Sequence, residues 1–146
     1  MLKRRVRPTK RKKSTGKIKN LFTKMHGASG LEVKFEEILM QLKLNYMMHY
    51  IFKEREYDFY LPDYKLLIET HGCFFHCCKE DGYTPKYPFQ RKNIKNDKHK
   101  VNLVKFSPEY KLLVIWEHEI TSRRRVVQKI HEALEGRSLL LNNTKP

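Results

Sequence analysis

Apolar positions along this chain change period several times, and each change marks an element. Leu31, Phe35, Ile38, Leu39 and Leu42 recur at helical spacing after Ser29, which predicts an amphipathic helix opened by an N-cap. Two short extended runs follow, around Tyr46–Phe52 and Tyr57–Leu61, and Pro62-Asp63 reads as a turn. Tyr64–Thr70 is apolar on both faces in its middle, as a strand deep in a sheet is. Residues 73–88, with Gly82, Pro85 and Pro88, read as irregular. A basic helix is expected from about Gln90 to Lys105, with Ile94, Val101 and Val104 turned inward and Pro108 closing it. Lys111–Trp116 reads as a second buried strand. A last helix starts near Ser122, packs through Val126, Val127, Ile130 and Leu134, and stops at Gly136. The order α-β-β-β-α-β-α predicts an α/β fold with a mixed central sheet flanked by helices.

Composition then narrows the partner. A chain of 146 residues suits one domain, and a formal net charge of +15 with a pI near 9.8 points to a polyanion. The charge is uneven: eleven Lys and Arg fall within residues 1–24, the first acid is Glu32, and removing that +11 from +15 leaves +4. This divides the chain into a basic flexible arm over 1–28, a folded domain over 29–136 and a loose tail over 137–146. Arg4, Arg5, Lys12 and Lys13 are the arm's candidate DNA contacts, with a targeting signal or a solubility tail as the plainer readings. No apolar run reaches membrane-spanning length, and the basic start lacks a secretory core. Cys73, Cys77 and Cys78 are too crowded for a disulfide framework. The expectation is a reduced, intracellular protein, cytoplasmic or nucleoid-associated, that binds double-stranded DNA, with no membrane association and no small-molecule substrate.

The chemistry concentrates between Asp58 and His76. Asp58 and Thr70 fall on neighbouring strands, so the Asp58 carboxylate and the Thr70 carbonyl could share a Mg²⁺, which needs few protein ligands. A strand-end acid is the plainer reading of Asp58. His76 is a candidate general base, and Asp97, on the basic helix, a candidate orienting partner. Zinc ligation or a capped loop competes for His76, and ordinary helix pairing with neighbouring lysines competes for Asp97. Ser29-x-x-Glu32 is a capping box, which explains Glu32 without catalysis. Glu69 is an extra acid, since Asp58…Glu69-x-His71 also mimics the acid-pair spacing of many Mg²⁺ nucleases; strand alternation places Glu69 and Thr70 on opposite faces, so both should not line the site. Phe74 and Phe75 are either core or a wedge driven between base pairs. Cys73, Cys78 and His118 are candidate Zn²⁺ ligands, with Glu80 or Cys77 among the choices for a fourth.

With those residues in hand, the chain resembles the very short patch repair endonucleases, which nick DNA beside a T:G mismatch, and related homing endonucleases named for a Glu-Asp-x-His-Asp set. The resemblance rests on Leu31-Glu32, Asp58-Phe59, Thr70-His71-Gly72-Cys73-Phe74-Phe75-His76, Asp97 in a basic helix, and Val114-Ile115-Trp116-Glu117, in order over about residues 29–120. It implies a core of the restriction-endonuclease type, a Mg²⁺-dependent DNA endonuclease and a phage or mobile-element origin. By that resemblance Asp58 and the Thr70 carbonyl hold metal, His76 is the base supported by Asp97, and His71 assists at the phosphate. Glu32 becomes functional, and Phe74 and Phe75 form the intercalating pair. Arg91, Lys92, Lys95 and Lys98 would contact DNA. The sequence departs from the family at Phe75, where Trp is usual, and at Cys78, Glu80 and His118, where the zinc pattern differs. The departures leave a mismatch nick and a site-specific cut both open. A monomer would nick, whereas a double-strand break needs a weak dimer or two events. The competing reading is a catalytically inactive DNA-binding or architectural protein of the same fold.

Overall fold

The structure, a computed structural model, describes residues 28–136. Helix α1 (Gly30–Gln41) starts at a reciprocal cap: Ser29 Oγ accepts the Glu32 N–H and Glu32 Oε1 accepts the Ser29 N–H, both at 3.2 Å. Two donors with no partner inside the helix are thereby satisfied. Strands β1 (Met47–Phe52) and β2 (Arg55–Leu61) form a hairpin whose turn residues, Lys53 and Glu54, have φ of 47° and 65°. Two such residues suit a tight turn between twisted strands. A 3-10 turn, Pro62–Tyr64, leads into β3 (Leu66–His71). A one-turn helix α2 (Cys73–His76), helix α3 (Pro88–Lys105), strand β4 (Lys111–Trp116), a one-turn helix α4 (Glu117–Ile120) and helix α5 (Arg123–Leu134) complete the domain.

The strands lie in the order β1-β2-β3-β4, antiparallel except for the parallel pair β3 and β4. One face packs Phe59, Leu61, Ile68 and Ile115 against Phe35 and Leu39 of α1 and Val126 and Ile130 of α5. The other packs Tyr57, Tyr60, Leu67 and Leu112 against Val104 of α3. Covered on both faces, every residue of β3 is buried, and each large apolar side chain so placed contributes roughly 1.5–3 kcal/mol. This is the mixed sheet with flanking helices expected from the sequence.

Two expectations change. Residues 73–76 are helical rather than irregular, because Glu117 Oε2 accepts the Cys73 N–H at 2.9 Å and anchors the start of α2. Helix α3 buries Val104 and half-buries Ile94 as expected, but not Val101. Val101 is 37 % exposed, and the stripe facing the protein is Gln90, Asn93, Asp97, Lys100 and Val104, spaced three and four apart. Gln90, Asn93 and Asp97 dock on α2 and Lys100 on Glu69 of β3, so polar contacts rather than the apolar period set the rotation of the helix. Arg4, Arg5, Lys12 and Lys13 of the arm, and the 137–146 tail, lie outside the described residues.

Candidate active site

The site begins with a fault in the sheet. The β1–β2 register runs Met47↔Tyr60, Met48↔Phe59, Tyr50↔Tyr57, Ile51↔Glu56 and Phe52↔Arg55, skipping His49 and Asp58. His49 has φ 49°, a left-handed value uncommon for a non-glycine residue. Alternation switches in both strands here: Tyr57 and Tyr60, three apart, join one cluster, and so do Met47 and Tyr50. Continuing the β2–β3 register would set Asp58 opposite Glu69. The switch sends it to Thr70 instead, where its Oδ2 accepts the Thr70 N–H at 2.7 Å and the Thr70 hydroxyl at 2.8 Å. The Asp58 side chain thus takes the bond that a neighbouring strand would have made.

Asp58 opens onto a cavity of about 390 Å³ lined also by Glu32, Glu69, Thr70, His76, Lys100 and Glu117. The Asp58 carboxyl is pushed up to about 7, by burial first, then by the charge of Glu69, with a smaller push from Glu32; the Thr70 hydrogen bonds oppose the rise. Glu32 divides its two oxygens. Oε1 makes the helix cap, while the buried Oε2 lacks a hydrogen bond among the described residues and stands 3.6 Å from His49 Nε2, likewise without one among them. The cap and a place in the cavity are therefore compatible. Glu69 lines the cavity together with Thr70, contrary to the expectation from alternation. The cavity sits where β2 leaves β3, so the end of the sheet is reached from both faces. Lys100 holds Glu69 there, with Nζ 2.9 Å from each carboxylate oxygen.

His76 lines the same cavity, and its Nδ1 lies 2.6 Å from Asp97 Oδ2. With Asp97 ionised, Nδ1–H donates to it and Nε2 is left as the proton acceptor. His71 does not line the cavity. It is buried at 5 % exposure, stacked on His76 at 4.0 Å between centroids and 7° between planes, with Trp116 edge-on at 5.0 Å. Among the described residues neither ring nitrogen of His71 has a hydrogen-bond partner; Glu69 and Asp97 carboxylates stand at 3.6 and 3.8 Å. That places it behind His76, off the cavity lining. Phe75 borders the cavity and Phe74 does not, and their rings meet at 80°, so as placed they cannot both lie parallel to one base pair. Arg91, Lys92, Lys95 and Lys98 are exposed on the outer side of α3.

A second cluster lies behind α2. Cys73 Sγ, Cys78 Sγ and Asp81 Oδ2 approach His118 Nδ1 at 3.2, 3.6 and 3.5 Å. Their four ligand atoms lie within 4.8 Å of one another. Glu80, one of the candidates for a fourth ligand, faces the other ring nitrogen of His118 at 3.0 Å, and Asp81 stands with the two cysteines. Cys77 is buried and caps α2 through its N–H to the Cys73 carbonyl. Burial, then the hydrogen bond with Asp81, pushes the Cys73 thiol up to about 12, so a thiolate there needs a compensating cation.

Neither a protein-family model nor a curated protein matches the chain. A solved structure does: the catalytic domain of the homing endonuclease I-Bth0305I, at 25 % identity and a TM-score of 0.56, over 75 % of this chain and 97 % of that domain. The chain shares its fold with a homing endonuclease catalytic domain. The likeness supports a nuclease fold.

His49 and Lys100 are residues at the site that the sequence reading does not single out. His49 gave no signal, since a left-handed residue inside a strand has no sequence mark unless it is glycine. Lys100 did have one, lying three residues after Asp97 and so on the same helix face. The Lys100–Glu69 pair is largely buried, with side chains 13 % and 6 % exposed. Lys100→Met will leave a buried carboxylate unpaired and lower stability by roughly 3–5 kcal/mol in urea unfolding. The double variant with Glu69→Gln will recover most of that loss. If Lys100→Met unfolds at the wild-type midpoint, the pair is not structural.

Proposed function

We propose that this protein is a Mg²⁺-dependent DNA endonuclease that hydrolyses a phosphodiester bond. The observation carrying the reading is one cavity lined both by Asp58, locked to Thr70, and by the Asp97-oriented His76. The fold shared with a homing endonuclease catalytic domain supports it. Mutually repelling acids around a carboxyl raised to about 7 form a donor set that suits a divalent cation. Asp58 and the Thr70 carbonyl would hold it, with Glu32 alongside. A bound Mg²⁺ supplies Lewis-acid polarisation of the phosphate and neutralises developing charge.

The chain's own residues do the rest. His76 Nε2 takes a proton from the attacking water as the new P–O bond forms and the bond to the leaving oxygen breaks. Asp97 holds the imidazole in the accepting tautomer and stabilises the imidazolium. His71 backs His76 by stacking. Phe75, beside the cavity, is the wedge that parts the base stack, and Arg91, Lys92, Lys95 and Lys98, with the arm's Arg4, Arg5, Lys12 and Lys13, take phosphates. Supercoiled plasmid and a T:G heteroduplex, each incubated with Mg²⁺ or EDTA, test the reading. Mg²⁺-dependent nicking or linearisation is expected, and the better-cut substrate separates mismatch repair from a site-directed cut. Salt-sensitive binding with no cleavage of any substrate would instead support the inactive DNA-binding protein.

The Cys73–Cys78–Asp81–His118 set is proposed to hold a structural Zn²⁺, since two thiolates, an imidazole and a carboxylate make a closed tetrahedral site. Purified protein should carry one Zn²⁺ by elemental analysis. Cys78→Ser should lose the ion and melt several degrees lower. Protein free of zinc with an unchanged melting temperature would remove the assignment.

A further inference from the structure

One residue away from the active-site cavity the surface changes character. Of nine large hydrophobic side chains exposed among the described residues, five fall between positions 74 and 89: Phe74, Phe75, Tyr83, Tyr87 and Phe89. They form a single cluster. The Phe74 ring centroid lies 5.4–6.0 Å from the other four, and Tyr87 stacks on Phe89 with 7° between planes. Scattered exposed aromatics are ordinary, but a contiguous patch marks a contact surface.

The patch has a built interior. Phe74, Tyr83 and Tyr87, with Thr84 and Lys86, wall a second cavity of about 170 Å³. Gln90, 1 % exposed, forms its floor and fixes its sides. Its Oε1 accepts the N–H groups of Lys86 at 2.9 Å and Tyr87 at 3.1 Å, and its Nε2 donates to the Phe74 carbonyl at 2.7 Å. A buried amide thus ties the loop to α2, so the aromatic walls are preorganised. The charge nearby is positive: Lys86 lines the cavity, Arg91 and Lys92 are exposed on the next turn, and Glu80 and Asp81 face His118 instead.

Aromatic walls with a cation at the rim fit a flat ring carrying a phosphate. Bases inside a duplex are stacked and cannot present their faces, so the fitting occupant is unpaired. We propose that this pocket takes one unpaired nucleobase of the DNA bound at the neighbouring cavity, stacked among Phe74, Tyr83 and Tyr87 with Lys86 at its phosphate. The proposal rests on DNA being the substrate, and it names the feature of that DNA the protein prefers. Stacking on aromatic rings tolerates any base, so the pocket selects for an unpaired position rather than for a letter.

The test needs no catalysis. In EDTA, full-length protein is titrated with a fully paired duplex and with the same duplex carrying a one-nucleotide 2-aminopurine bulge. The bulged duplex is expected to bind about tenfold tighter, with a change in 2-aminopurine fluorescence on binding. Tyr83→Ala with Tyr87→Ala should abolish both the preference and the fluorescence change, while Tyr83→Phe with Tyr87→Phe should keep them. Equal binding of the two duplexes by wild-type protein overturns the proposal. So does a preference kept by the double alanine variant, or one lost equally by the phenylalanine variant, which retains the rings. Failure to cut plasmid in Mg²⁺ leaves this outcome untouched, so the nuclease reading and the pocket fail separately.

Discussion

His76→Ala will lower the rate of DNA strand cleavage by roughly 10²- to 10⁴-fold, the usual contribution of a positioned general base, and leave DNA affinity unchanged. The expectation comes from the geometry. His76 spends Nδ1 on Asp97 at 2.6 Å and holds Nε2 for the cavity, so removing the ring removes the proton acceptor and no phosphate contact. Asp97→Asn tests the same unit from behind. Its amide oxygen can still accept the Nδ1–H, but the charge that stabilises the imidazolium is gone, so a smaller loss in the same direction is expected. Single-turnover cleavage and filter binding on one labelled duplex read both effects. Cleavage by His76→Ala within tenfold of wild type would take the proton-transfer role away from His76.

Asp58→Asn will abolish Mg²⁺-dependent cleavage and, in metal-free buffer near pH 8, make the protein more stable. The apparent paradox follows from the raised carboxyl. Asp58 sits at about 7 against an ordinary 3.8, through burial first and Glu69 second. The folded protein therefore holds this proton more tightly than the unfolded chain does. Its stabilising contribution is fully present below about pH 4 and is lost as the pH rises through about 7. A difference of about three pH units corresponds to about 4 kcal/mol at most. Urea unfolding in EDTA should show wild-type stability falling across that window and Asp58→Asn staying flatter. Adding Mg²⁺ at pH 8 should restore the wild type and do nothing for the variant, because the cation offsets the ionised carboxylate only where one exists. A wild-type protein with no loss of stability between pH 5 and 8 in EDTA would contradict this account of the site.

Much of the fold was legible because it depends on local periods. The Ser29 cap, the buried strands Leu66–His71 and Lys111–Trp116, and helix α5 each follow from a run of side chains that must bury one face or both. Of the string from Thr70 to His76, residues Thr70, Gly72, Phe75 and His76 line the cavity, as do Asp58 and Glu32, and Asp97 stands against His76. Where the reading failed, a tertiary demand had overruled the period. Spacing assigns Val101 to the core, yet α3 docks through Gln90, Asn93 and Asp97 on α2 and through Lys100 on Glu69. Alternation puts Glu69 and Thr70 on opposite faces, yet both line the cavity because the sheet ends beside them.

The sequence by itself determined the elements, the basic character and the set of groups able to do chemistry. Those depend on neighbours within one or two turns, where spacing and side-chain type are sufficient. Only the tertiary structure decided which groups meet. Asp58 reaches Thr70 because His49 and Asp58 drop out of the β1–β2 ladder together. Lys100 reaches Glu69 across 31 positions, and Asp81 joins Cys73 and Cys78 because a loop closes on His118. Each of these contacts joins elements distant in the chain, and its geometry is set by how sheet and helices pack as whole bodies.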